Sequence, residues 1–250
     1  MNRAELREFL DEKVDRYNRP DFIEKDPISI PHRFSNPGDI ELISLLVATI
    51  AWGRRDGIIK NGNKIATLMD EAPHQFITSF EPRDLKRFDG FVHRTFNAED
   101  LKFFLIQLQN IVKEYKTLEN AFAAENTFKG LIRFRKLMLG ENSPKRTRKH
   151  ISDVEAGSAA KRLNMFLRWM VRNDKRGVDF GIWKNFAPSQ LYLPLDVHTA
   201  SVSRKLNLLS RTQNDWKAVH EVTQNLSKLD VNDPIKYDFA LFSLGAIEQF

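Results

Sequence analysis

The stretch Asp39-Ile40-Glu41-Leu42-Ile43-Ser44-Leu45-Leu46-Val47-Ala48-Thr49-Ile50-Ala51-Trp52 decides the fold class. It opens on Asp39, a residue type that caps helices, and is then apolar on most sides. That pattern predicts a buried central helix rather than an amphipathic surface one. Moving outward, Ile58, Ile59, Ile65, Leu68 and Met69 recur at helical spacing. Asn97-Ala98-Glu99-Asp100 caps a segment running to Tyr115, and Leu118 to Leu139 reads as one helix with a break at Gly130. Ser158 to Arg172 reads as another, with Leu163, Phe166, Leu167, Met170 and Val171 on its apolar side. Three short helices start near Asp196, Asn214 and Asn232. Alternating runs around Asn-Gly or Asp-Gly turns are missing, so no sheet is expected. The expected class is all-α.

The chain has 250 residues, 42% of them hydrophobic and 29% charged, which is ordinary globular composition. The absence of cysteine excludes an iron–sulfur cluster, a thiolate zinc site and a Cys nucleophile. The charged start Met1-Asn2-Arg3 carries no signal segment, and the longest apolar run, Ile43 to Trp52, is half of the roughly 20 residues a membrane span needs. A cytoplasmic monomer is expected. Charge is uneven: Lys129 to Arg176 holds 14 Lys/Arg and 4 Asp/Glu, while the rest of the chain is net negative. The excess peaks at Lys145-Arg146-Thr147-Arg148-Lys149, the footprint of a polyanion partner or of a solvated loop.

None of the 6 His stands at a metal-ligand spacing, and phosphate-loop and nucleophile-elbow motifs are missing. What remains is a lysine and an aspartate, each at a helix start. Lys161, in Gly157-Ser158-Ala159-Ala160-Lys161-Arg162, meets the positive end of a helix dipole and the neighbouring Arg162. Both disfavour its charged form, and a neutral amine is what attack on a sugar carbon requires. A surface lysine on a basic face is the simpler local reading. Asp196, in Leu193-Pro194-Leu195-Asp196-Val197-His198, is a natural N-cap. The same capping amides favour its anion, and a fixed anion also suits a developing oxocarbenium ion.

Gly157-x-x-x-Lys161-x-x-Asn164 followed by Pro194-Leu195-Asp196-Val197-His198 resembles the signature of the helix-hairpin-helix DNA glycosylases, the endonuclease III and 8-oxoguanine glycosylase superfamily. Pro31-His32-Arg33-Phe34 and Lys236-Tyr237-Asp238-Phe239 look like an uncharacterised bacterial branch of it. The family hairpin usually reads Leu-Pro-Gly-x-Gly, whereas this chain has Glu155-Ala156-Gly157-Ser158-Ala159. That departure counts against a hairpin-bound cation, and no other cofactor or metal is expected. Lys161 and Asp196 also lie 35 residues apart, about twice the family's gap, which makes Asn173 to Leu193 an insertion.

The resemblance implies two helical lobes with a central cleft: residues 38–175 ending in the hairpin and Lys161, and residues 1–37 plus 176–250 carrying Asp196. It implies a base-excision glycosylase with abasic-site lyase activity, acting on double-stranded DNA that holds an oxidised base such as 8-oxoguanine. Lys161 is the nucleophile and Asp196 the electrostatic partner and base. Arg54, Arg55, Lys145, Arg146, Arg148, Lys149, Arg162 and His198 are expected on DNA. Trp52, Trp169, Asp179 and Trp183 are expected to serve as wedge or base pocket. A non-catalytic nucleic-acid-binding protein on the same scaffold is the alternative, and a protein–protein adaptor with a solvated basic loop a weaker third.

Overall fold

A computed structural model describes residues 1–140 and 142–250. Among them the chain is mostly helical, as its periodicity predicts, with one short hairpin. No helix of the described residues is long and apolar enough to cross a membrane. Contacts divide the chain into two compact units: Lys25–Ser152, and Met1–Glu24 with Asp153–Phe250. The sequence-based division at 37/38 and 175/176 differs at both cuts, and the difference matters. Lys161 and Asp196, expected in separate lobes, belong to one unit.

Helix α1 (Arg3–Tyr17) belongs to the discontinuous unit and is capped by Asn2, with Glu5 closing a capping box. The continuous unit, Lys25–Ser152, is built on α2 (Pro37–Thr49), in which every residue from Ile40 to Thr49 is buried. Its cap is Asn36 rather than Asp39, followed by a proline at the first helical position, where the lost N–H is not needed. Asp39 instead accepts the amide of His74 (2.7 Å) at the start of the short helix that follows α3 (Arg55–Leu68), α4 (Pro73–Ser79). A two-residue-per-strand hairpin, β1 (Val92–His93) with β2 (Phe96–Asn97), precedes α5 (Ala98–Tyr115). The hairpin was invisible to pattern reading because its loop, Arg94-Thr95, lacks the usual Asn-Gly or Asp-Gly signal.

The expected single helix from Leu118 to Leu139 is two, α6 (Leu118–Phe122) and α7 (Thr127–Leu139). The break lies not at Gly130 but at Asn126, whose side chain caps α7 by accepting the amide of Lys129. Gly130 has another task. A Cβ there would lie 2.5 Å from the carbonyl oxygen of Phe122, so only glycine lets α7 cross the end of α6 this closely. The rings of Phe122 and Phe134 then stack at 4.0 Å. Buried Glu41 of α2 completes the corner by accepting the amides of Leu118 (2.9 Å) and Glu119 (3.1 Å).

The discontinuous unit resumes with α8 (Lys161–Val171), α9 (Val197–Lys205), α10 (Trp216–Ser227) and α11 (Tyr237–Ala246). α11 is apolar all round and packs against both α1 and α9. Gly245 permits the second approach, since a Cβ there would come within 3.1 Å of the His198 backbone. Connector residues return to α8 rather than leaving it: Phe180 and Trp183 donate their amides to Trp169 and Met170 (both 2.9 Å). That is why α8 sits with the C-terminal helices.

Gly130→Ala is expected to destabilise the protein by up to about 2 kcal/mol: overpacking costs about 1–3 kcal/mol against a gain of about 1 kcal/mol in helix propensity. The midpoint of urea denaturation reads this directly. A midpoint at or above that of the parent chain would show that Phe122 yields.

Candidate functional site

Lys161 owes its position to a turn, not to a helical hairpin. Gly157 (φ +90°) and Ala160 (φ +48°) are both left-handed, and they bring the chain sharply into α8. Asp153 holds the turn, its backbone carbonyl accepting the Ser158 amide (2.9 Å) and its carboxylate the Ala156 amide (3.1 Å). Gly157 in turn accepts the Trp216 amide (2.9 Å), which pins the turn to the start of α10. Lys161 is the first residue of α8, half-buried, and no side chain caps the helix. Arg162 beside it is also half-buried, and desolvation pulls its guanidinium down to about 10, so it stays cationic near neutrality.

From Leu163 onward α8 is buried, including Arg168, and so is its C-cap residue Arg172, four positions further on. Burying guanidinium groups is costly unless carboxylates surround them. Arg168 donates to Asp179 (3.2 Å) and makes a short bond to Asp238. Arg172 donates to Asp179 (2.5 Å), Asp174 (2.9 Å) and Asp233 (2.8 and 2.9 Å). Asn18 donates to Asp174 from the far end of the chain. Burial opposes the charge on Arg172, but Asp179 and Asp233 outweigh it and hold the guanidinium above its usual range. Asp174 is likewise held below the usual carboxylate range: desolvation raises it, but Arg172, the Arg176 amide and Asn18 together outweigh that.

Asp238 behaves differently. Burial pushes its carboxyl up to about 6; Arg168 works against that rise, Asp196 adds to it and Lys161 opposes it. The charges of Lys161 and Asp196 thus both act on this one buried carboxyl. Asp196 itself is half-buried and caps α9, accepting the amides of His198 (2.9 Å) and Thr199 (3.0 Å). Its own amide donates to the Thr199 hydroxyl (2.8 Å), closing a capping box.

The remaining expected residues divide sharply. Trp169 is fully buried and Trp183 is 3% exposed with its ring edge-on to Phe166, so neither offers a face to an incoming base. Asp179 is buried as well, its two oxygens taken by Arg168 and Arg172. These three are core and counter-ion, correcting their expected pocket role. His198 is exposed, its ring edge-on to Phe242. In the continuous unit Trp52 is half-buried and stacks on His150 (5.8 Å), while Arg54, Arg55, Lys145 and Lys149 are exposed. Arg146 is tied to Asp100 and Glu99 (both 3.1 Å), and Arg148 to Ser143. Among the described residues no group of three His, Asp or Glu could hold a metal ion.

Pattern reading missed Arg168, Arg172, Asp174, Asp233 and Asp238 as site residues. The signal was there: two arginines four apart inside an otherwise apolar helix need buried counter-charges somewhere.

A family model matches residues 26–247, and the chain belongs to that family, DUF2400, described as a protein of unknown function. No curated protein and no solved structure matches the chain. The match is to this family and not to the helix-hairpin-helix glycosylases, so that resemblance is corrected. The geometry agrees with the correction: between α7 and α8 the described chain holds only a four-residue 3-10 turn, Thr147–His150, where a hairpin would need a helix.

Arg168→Met leaves Asp238 and half of Asp179 uncompensated. The folded Asp238 binds its proton more tightly than an ordinary carboxyl, so it is neutral at pH 5 and ionised at pH 8. The substitution is therefore expected to cost about 3–5 kcal/mol at pH 8 and distinctly less at pH 5. Chemical denaturation at the two pH values measures both, and an equal cost at each would remove Asp238 from the pairing.

Proposed function

We propose that the protein removes damaged bases from double-stranded DNA and then opens the abasic site. The Lys161 amine adds to the sugar C1′ as the base departs with the glycosidic electron pair. The nitrogen gives up a proton, the ring oxygen leaves C1′ and an imine links lysine to sugar. Loss of a C2′ proton then expels the 3′ phosphate. Asp196 faces the cationic charge that develops at C1′. Asp238 is suited to accept the amine's proton and return it, because its carboxyl titrates near neutrality.

One observation carries this reading: the charges of Lys161 and Asp196, 35 residues apart in sequence, converge on the buried Asp238. The basic segment at 145–149 supports a polyanionic substrate. A second reading has its own support. The Asp196 carboxylate is occupied by two helix amides and that of Asp238 by Arg168, as in a purely structural cluster. On that reading the protein binds nucleic acid without chemistry.

Borohydride trapping separates the two. With duplexes holding an abasic site or 8-oxoguanine, the parent protein is expected to form a covalent adduct. Lys161→Gln is expected to abolish the adduct while still binding the duplex. Trapping at the parent rate by that variant rejects the nucleophile, and no adduct from the parent protein favours the binding reading. Asp196→Asn is expected to slow base removal more than it weakens binding, with little stability lost, because asparagine caps a helix about as well as aspartate.

A further inference from the structure

The continuous unit gathers three segments that are distant in sequence: the turn at 52–55, the hairpin tip Arg94-Thr95 and the stretch 145–149. His93 donates from Nε2 to the Trp52 carbonyl (3.1 Å), its Nδ1 accepting from the Asn61 amide, which joins the first two. Arg146 donates to the Thr95 carbonyl (3.2 Å), which joins the third. Gly53 lies against Arg94 itself: a Cβ on Gly53 would meet Arg94 Cδ and Nη1 at 2.9 Å.

We infer that these segments form one face that grips the phosphate backbone of duplex DNA, with Arg94 at its centre. Backbone conformation is the first reason. Arg94 occupies the left-handed region (φ +56°), where glycine or asparagine sits at little cost in a two-residue hairpin loop. Gly53 is left-handed too (φ +97°) and is kept bare where the guanidinium lies. Two special backbone positions thus serve to present one arginine, a form of strain that marks binding sites.

Charge is the second reason. Arg54, Arg55, Arg94, Lys145 and Lys149 are exposed. The acids on the same segments are Asp56, paired with Arg54, and Glu99 and Asp100, both engaged by Arg146. Positive charge is left in excess. α3 also starts here with Arg54 in its N-cap position and no capping bond from that side chain, while Asp56 in its first turn accepts backbone amides and offsets part of the helix's positive end. Cations crowded at a helix start are unfavourable until an anion answers them. Arginine, with its planar fork of donors, matches a phosphate better than lysine does.

This inference shares its partner with the proposed function but not its chemistry, and the test keeps them apart. Anisotropy of an undamaged labelled duplex is measured across a potassium chloride series with the full chain. Arg94→Ala is expected to weaken binding several-fold and to lower the slope of log affinity against log salt by about 1. Gly53→Ala keeps every charge but displaces the Arg94 side chain, and is expected to weaken binding as well, with thermal melting confirming that both variants fold. Unchanged affinity and slope in Arg94→Ala overturns the inference, as does failure of the parent protein to bind. A protein that binds through Arg94 yet releases no base upholds this face while rejecting the proposed chemistry.

Discussion

Two guanidinium groups buried on α8 and at its C-cap constrain the whole discontinuous unit. Arg168 and Arg172 cannot leave water without anions around them. The four carboxylates that answer come from the connector (Asp174, Asp179), from the approach to α11 (Asp233) and from α11 itself (Asp238). The Phe239 ring lies over the Arg168 guanidinium at 4.4 Å and adds a face that a cation favours. Such a network contributes little net stability compared with apolar packing, but it admits few alternative arrangements. Here it fixes where α8 lies against α11, and thereby where Lys161 stands relative to Asp196.

The same electrostatics explain why one member of the cluster binds its proton more tightly than an ordinary carboxyl. Two arginines face four acids, with Asp196 nearby adding a fifth negative charge and Lys161 a third positive one. Asp174 lies low because Arg172 binds it directly. Asp238, buried most deeply and bonded to one arginine that is shared with Asp179, is the group left to rise. The buried network thus holds carboxyls of opposite tendency, Asp174 low and Asp238 raised.

Helical class, the buried α2 and the caps Asn97 and Asp196 were legible in the sequence, because each rests on local chemistry. The cap of α2 was misplaced because Asp39, though a capping type, serves α4 across space. α1 escaped because its buried apolar residues are few, Leu10 and Val14, with Lys13 held by Glu248. Lys161 and Asp196 were singled out from the motif resemblance and their helix-start positions, whereas Asp238, on which both charges act, was not. Its partners lie on three segments, and no spacing rule links residues so far apart. The connector from Asn173 to Leu193, read as an insertion lining a pocket, is instead the strap that carries counter-ions back to α8. Its charges made sense only once the arginines were known to be buried.

The interleaved layout of the chain bears on how it is made. α1 docks on a helix that follows it by more than two hundred residues, and the Lys13–Glu248 bond spans 235 positions. At translation speeds of about 5–20 residues per second, α1 waits on the order of tens of seconds for that partner to leave the ribosome. Meanwhile Lys25–Ser152 has all its own contacts in hand and is free to fold. α1 is therefore secured only after α11 has emerged, well after Lys25–Ser152 can complete its own contacts.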